Sequence, residues 1–505
     1  MSCRRKILIV AGIVFGVAIL LPVLRHYQLR FAVESYVAEL KAKGEPMELA
    51  QVIPPPVPPE QNAVPFIFNS LTNLEARYSS IVQTNPPTAM CEVLPGKAMV
   101  RWRQPAIIGF NENTWPLTNN LMTNTWEDLE KELAAEKDDL DSFQSLTNHP
   151  ILDFNLDYGE GYPILRHLAR IKHAADWLSA AALYDLHERR TAEACAEVHT
   201  ILAIAKGQTE EPLSISQQVR DAVASVAAQV TWEILQDPNV SESDLASLQQ
   251  DLESIEFVGA AKQAFLAERV INLRATEHYL QNPSNLWRGV NGNDEQIDRK
   301  ICKYLWQEFW AYSDEKRMMQ LYQVLADAMR MAETNHSFQT EQGFVRTNFN
   351  RLGFEGPFMP EGTFRIDIDP IDTRWLSSEN AFDSFSLLKR TMIFETARNL
   401  TIVAIALKRY ELQNHQLPST LNDLTPLFLK MCLLDYMNGE PLHYQKNSDG
   451  TYLLYSVGEN GVDDGGKPSS HKWWEFYWFA HTNDLVWPQP ATEAEIKNFY
   501  DHPPK

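Results

Sequence analysis

The chain has 505 residues, 44% of them hydrophobic and 22% charged, with a formal net charge of −21. That composition excludes an unfolded polar chain and is enough for a sizeable core, roughly three domains' worth by length. The acidic balance, with no basic run after the first six residues, excludes a nucleic-acid partner, because a phosphate backbone is held by clustered Lys and Arg.

"ILIVAGIVFGVAILLPVL", Ile7–Leu24, carries no charge over 18 residues. As a helix it would be about 27 Å long, close to the ~30 Å of a hydrocarbon core. Arg4, Arg5 and Lys6 precede it, which predicts a cytoplasmic N-terminus and an exported remainder. A cleaved signal peptide is the competing reading. The apolar run is long for one, and no small-x-small site follows before Arg25. The expectation is therefore an uncleaved anchor at 7–26 behind a cytoplasmic tail at 1–6. It implies a single-pass inner-membrane protein whose bulk lies in the periplasm, with the membrane as a partner through the N-terminal helix.

"FAVESYVAELKAKGE" has helical spacing and ends at Gly44, and "PPPVPP" (Pro54–Pro59) favours polyproline II. Together they predict a stalk over 27–60. "NTWEDLEKELAAEKDDLDSFQSL" reads as a polar helix among loops. From Pro163 the period is helical: Ile164, Leu168, Ile171, Ala175, Leu178 and Ala182 recur at steps of four and three. A second helix runs from about Thr191 to Lys206–Gly207. Val219, Val223, Val226 and Val230 mark a third, and "SESDL" at Ser241 offers a capping start for a fourth. Further helices are expected over about 257–281 and 300–335. Short connections imply antiparallel neighbours, an irregular bundle or solenoid-like domain over 61–375 without a fixed repeat. A Gly- and Pro-rich stretch at 340–380 suggests a boundary, after which a long helix runs from about Phe385 to Asn414 and short strands follow in a domain at 380–505.

The last region holds "YSVGENGVDDGG", Tyr455–Gly466. Gly461 to Lys467 satisfies GxxxxGK after a strand-like "YLLYSV", but Pro468 replaces the Ser or Thr of a phosphate loop, and Asp463 and Asp464 would repel phosphates. No nucleotide partner is expected. Around it stand "ALKRYELQNHQLPSTLNDL", "DYMNGEPLHY" and "NDLVW". In this order, Tyr410, Pro418, Asp435, Pro441, Tyr444, Ser456, Gly458, Gly461, Gly465, Gly466, Asp484 and Trp487 resemble the globular domain of type II secretion major pseudopilins. The resemblance covers about the last 110 residues. It implies a small α+β fold and a calcium ion held by the Val457 carbonyl, by Asn460 in place of the family's Asp, and by Asp484, with Asp463 or Asp464 compensating. A hairpin corner built from Asn-Gly and Asp-Gly turns needs no metal, and both readings stay open. The leader and processing site of pseudopilins are not found after Met1. The whole chain also resembles a group of uncharacterised bacterial single-pass proteins, on "KAKGEP", "PPPVPPEQNAVP" and "LSISQQVRDAV".

Other features are weaker. "HKWWEFYWF" (His471–Phe479) is an aromatic platform for glycans, through Trp473, Trp474 and Trp478, or a packing plug. Asp367 and Asp369 share a strand face beside Pro370. Cys195 and His199 stand one helical turn apart. The cysteines, Cys3, Cys91, Cys195, Cys302 and Cys432, show no CxxC spacing and read as buried free thiols. HExxH, GxSxG and GxGxxG do not occur. The expected fold is mainly α: a transmembrane helix, a helical domain and a pseudopilin-like α+β domain. The expected role is binding or assembly at the cell envelope, with an envelope protein or glycan as partner and calcium as the implied ion. The alternatives are an envelope hydrolase acting on glycans or peptides, or a carbohydrate-binding protein.

Overall fold

The computed structural model describes residues 3–110, 121–159, 161–281, 306–354, 375–469 and 483–502. The helices in chain order are α1 (Cys3–Ala42), α2 (Leu49–Val52), α3 (Val64–Glu75), α4 (Ile81–Thr84), α5 (Trp126–Ala135) and α6 (Lys137–Ser142). Next come α7 (Arg166–His187), α8 (Thr191–Gly207), α9 (Ser214–Leu235), α10 (Glu242–Glu253) and α11 (Val258–Gln281). The series ends with α12 (Ala311–Asn335), α13 (Phe338–Arg351), α14 (Trp375–Asn414) and α15 (Glu493–Asp501). About 63% of the chain is helical, so the helical majority expected from periodicity is present.

The membrane expectation is corrected. Among the described residues no helix is long and apolar enough to cross a membrane. The side chains of Ile7–Ile19, most of the apolar run, lie outside the described set. From Leu20 onward α1 carries Arg25, His26, Arg30, Glu34, Glu39 and Lys41, and it docks on protein. Val33 and Leu40 are buried in a cluster with Met47, Leu273 and Met319, flanked by Tyr36, Val37 and Tyr312. A helix with charges on one face and a buried stripe on the other is a docked surface helix. The transmembrane, single-pass and inner-membrane assignments fall with that finding.

Nor does 27–60 stand off as a spacer. Glu45, at the end of α1, meets Arg330 at 2.7 Å and the fully buried Arg269 at 3.4 Å. Val52 lies in the core beside α11. A bridge between Asn62 and Ile151 then carries the chain into the helical array.

The predicted stripes account for α7 to α9. Ile171, Ala175, Leu178 and Ala182 are all buried on α7, while the helix begins at Arg166 and leaves Ile164 exposed. Val223 and Val230 are fully buried on α9. At α10, the Ser241 hydroxyl accepts the Asp244 amide at 3.1 Å, the cap expected from "SESDL". The polar helix expected after Asn124 is divided at Glu136 into α5 and α6.

The core consists of two large clusters joined by α14. One includes α7 to α10, Leu400 to Leu407 of α14, and Leu442, Leu454, Leu485 and Trp487. The other includes α11 to α13, Leu387 to Met392 of α14, and Met437 and Val457. The C-terminal region thus contributes to both cores rather than enclosing one of its own.

Its strands are short. β5 (His443–Lys446), β6 (Tyr452–Ser456) and β7 (Leu485–Val486) form an antiparallel sheet, with His443 opposite Tyr455 and Tyr455 opposite Val486. β1 (Cys91–Leu94) pairs with β2 (Lys97–Met99), which pairs in parallel with β8 (Gln489–Pro490). That last pairing returns the end of the chain to its first third. α15 covers it, burying Phe499 against Cys91, Val93 and Met99. β3 (Ile107–Phe110) and β4 (Leu121–Asn124) form a separate hairpin-like pair.

Candidate functional site: the loop between β6 and β7

The loop following β6 is organised by two buried carboxylates. Asp435 opens the turn that leads into β5. Its Oδ1 accepts the Met437 amide at 2.9 Å and the Ser456 hydroxyl at 2.8 Å, and its Oδ2 accepts the Val457 amide at 2.9 Å. Asp484 enters from the start of β7. Its Oδ1 accepts the Asp464 amide at 3.2 Å, and its Oδ2 accepts the amides of Gly466 and Lys467 at 2.7 and 3.1 Å. Both residues are inaccessible to solvent. Burial pushes both carboxyls above the usual range, opposed by these hydrogen bonds.

The glycines let the backbone close around these groups. Gly458 has φ +64°, and a Cβ there would lie 1.7 Å from the Asn483 carbonyl oxygen. Gly466 has φ +72°, and a Cβ would press on Leu453 at 2.6 Å. Only glycine supplies both the left-handed conformation and the missing side chain.

The remaining polar side chains serve the loop as well. Asn460 Oδ1 accepts the Val462 amide at 2.9 Å, and its Nδ2 donates to Asp464 at 3.0 Å. Asp463 turns to the sheet, accepting the Tyr455 hydroxyl at 3.0 Å and the Gly465 amide at 2.9 Å. Those bonds hold the Asp463 carboxyl below its ordinary range, the Gly465 amide foremost. Burial and the Asp463 carboxylate push the Tyr455 phenol up to about 12.

The fit to calcium can be judged on these contacts. A calcium site needs 6–8 converging oxygens. Here three backbone N–H groups converge on Asp484, while Asp463 turns to Tyr455. Among the described residues no three His, Cys, Asp or Glu side chains gather as metal ligands. Val457, Asn460, Asp463, Asp464 and Asp484 are brought together around one loop, but the side-chain oxygens of the last four already accept hydrogen bonds from the protein. This donor set does not fit a cation as arranged.

The outer face of the loop meets the helices. At the N-terminus of α13, Phe338 and Gln339 donate their amides to the Tyr436 and Met437 carbonyls at 2.8 and 3.2 Å. Otherwise orphaned N–H groups of a helix start are satisfied this way. The Gln339 side chain donates to the Glu459 carbonyl at 2.8 Å, and Lys389 of α14 pairs with the Glu459 carboxylate at 2.6 Å. The approach is close: a Cβ on Gly439 would lie 2.6 Å from the Asn335 carbonyl oxygen, and one on Gly461 2.6 Å from the Gln339 side chain. The His336 ring stands edge-on to Tyr436, 4.9 Å between centroids. Sequence reading missed Gln339, Lys389 and the inward role of Asp435; spacing along the chain carries no signal for partners such as Gln339 and Glu459, 120 residues apart.

The histidines are engaged in packing contacts elsewhere. His199 pairs with Asp251 at 2.5 Å, one turn from the buried thiol of Cys195. His187 contacts the Trp102 carbonyl at 2.8 Å and stacks on Trp126. His167 meets Glu211 at 2.9 Å, and the Ser216 hydroxyl donates to the same carboxylate. With the carboxylate in the middle, the serine donates to Glu211 rather than to the imidazole, the wrong order for a base-activated nucleophile. Asp367, Asp369 and the segment His471–Phe479, with Trp473, Trp474 and Trp478, lie outside the described residues. Comparison of the chain with protein-family models, curated proteins and solved structures finds no match.

Proposed function

We propose that the chain is a non-catalytic binding or assembly protein in which a pseudopilin-like α+β module is fixed to a helical array. One observation carries this reading. The loop that in a free module would be available to an ion or partner is closed by Asp435 and Asp484 and seated on α13 and α14 through Gln339 and Lys389. Side chains suited to chemistry are used to join two parts of the chain, which favours a presenting scaffold. The cluster of His167, Glu211 and Ser216 is ordered for packing rather than for nucleophilic attack.

The test combines two measurements on the full chain. Sedimentation velocity across a hundredfold concentration range is expected to show reversible association. Nitrophenyl esters, nitrophenyl glycosides and a fluorescent casein are expected to turn over no faster than blank. Turnover that disappears in Glu211→Gln would replace the reading with a hydrolase. A monomer at every concentration would remove the assembly half.

A further inference from the structure

A pocket lies where the C-terminal end of α9, the C-terminal half of α14 and the β6–β8 region meet. Its volume is about 150 Å³. An engineered protein cavity of about that volume holds benzene, so it suits a ligand of roughly six to eight non-hydrogen atoms.

The walls differ in chemistry. Trp487 and Tyr452 form an aromatic side. The indole hydrogen-bonds the Tyr452 phenol, and burial keeps that phenol protonated far above neutral pH. Lys408 and Glu411 also line the pocket, 2.9 Å apart and both partly exposed. Gln236 and Gln489 complete the polar lining. Each side-chain amide donates one N–H, Gln236 to the Trp232 carbonyl at 3.0 Å and Gln489 to the Tyr452 carbonyl at 2.8 Å. Each then brings a side-chain carbonyl acceptor and a second N–H donor to the lining.

The charge pattern selects the ligand class. A simple anion or cation would meet one favourable and one unfavourable charge within a helical turn, and would gain little. A molecule with both signs a few ångströms apart meets each in turn, and the aromatic wall lowers the local dielectric and strengthens both contacts.

We propose that this pocket binds a small zwitterion of amino-acid size, its carboxylate at Lys408 and its ammonium at Glu411. The site is separate from the β6–β7 loop and does not depend on the function proposed above.

Calorimetric titration of the full chain with glycine, L-alanine and L-proline tests it, with acetate and methylammonium as singly charged controls at equal ionic strength. Saturable binding of at least one zwitterion is expected, at least tenfold tighter than either control. Lys408→Met should weaken it at least tenfold. Leu417→Trp, which fills the pocket from its apolar side, should abolish it. Unchanged melting cooperativity in the Lys408→Met protein shows that the loss is not unfolding. The proposal is overturned if none of the three zwitterions binds saturably, if the controls bind equally well, or if Lys408→Met binds as tightly as the original chain.

Discussion

Replacing Asp484 by Ala removes the acceptor for three backbone amides, those of Asp464, Gly466 and Lys467. An unsatisfied buried donor costs about 1–3 kcal/mol, which bounds the total at roughly 3–9 kcal/mol if nothing relaxes. The loop side of the three bonds is partly exposed, so water can reach some of the freed amides, and a loss of about 3–5 kcal/mol is expected. Asp484→Asn should cost roughly half as much. Its oxygen can keep the Gly466 and Lys467 bonds, while its own N–H groups then face the Asp464 amide. Urea denaturation of the three proteins, each with EDTA and with millimolar calcium, measures both effects. Calcium should shift none of the curves. If calcium stabilises the wild type by about 2.7 kcal/mol at a hundred times its dissociation constant and Asp484→Ala abolishes the gain, the loop is a metal site and the reasoning fails. A change below about 0.5 kcal/mol in Asp484→Ala, within the range of ordinary surface substitutions, would refute the hydrogen-bond account.

Two glycines in the same loop should separate strain from collision. Gly465→Ala has open space at φ +74° and should cost about 1–2 kcal/mol; Gly458→Ala collides with the Asn483 carbonyl and should cost about 3 kcal/mol or more. Equal losses in urea midpoints would contradict this. Burial holds the Glu233 carboxyl at about 8, above its ordinary 4.5. The folded chain therefore retains that proton where the unfolded chain has lost it. Its contribution is fully present below about pH 4.5 and is lost as pH rises through about 8. Glu233→Gln should flatten the fall in stability between those limits, leaving a residual slope from Asp221 and Glu315, also raised by burial, to about 7 and 8. Identical slopes would refute it. Glu45→Ala should destabilise by about 2 kcal/mol or more, because Arg269 is fully buried and loses its carboxylate partner; Gln323 and the Pro46 carbonyl keep part of its hydrogen bonding. Retention of wild-type stability would show that this cluster does not hold α1 in place. Among the described cysteines, Cys432 should react with a thiol reagent well before Cys91 and Cys195, which are buried; burial also raises the Cys195 thiol to about 12.

Several findings share one cause. The chain uses buried ionisable side chains to join segments far apart in sequence, whether charged or, like Glu233 below about pH 8, protonated. Glu233 on α9 accepts the amides of Met90 and Arg101 at 2.8 and 3.0 Å. Arg220 donates to the Ala205 and Glu256 carbonyls at 2.9 and 2.8 Å while lying over Phe257. Asp435 and Asp484 do the same for the β6–β7 loop. Each such group carries a desolvation cost that only a full set of partners offsets, so each should tolerate substitution poorly despite lying outside any catalytic arrangement.

Local order was determined by the sequence itself. The stripes of α7 and α9, the Ser241 cap, the close of α8 at Gly207 and the left-handed glycines of "YSVGENGVDDGG" follow from neighbours within a few residues, where helical period, capping and φ preference act directly. The tertiary structure decided the rest. It docked the described part of α1 on α12, and it ran α14 through both cores. It also turned Asp484 toward three amides. Residue type and spacing leave those outcomes open, because a carboxylate beside a glycine-rich turn can serve an ion or an amide equally well. The partner that reaches it depends on which distant segments pack against the loop, and here these are β7, α13 and α14.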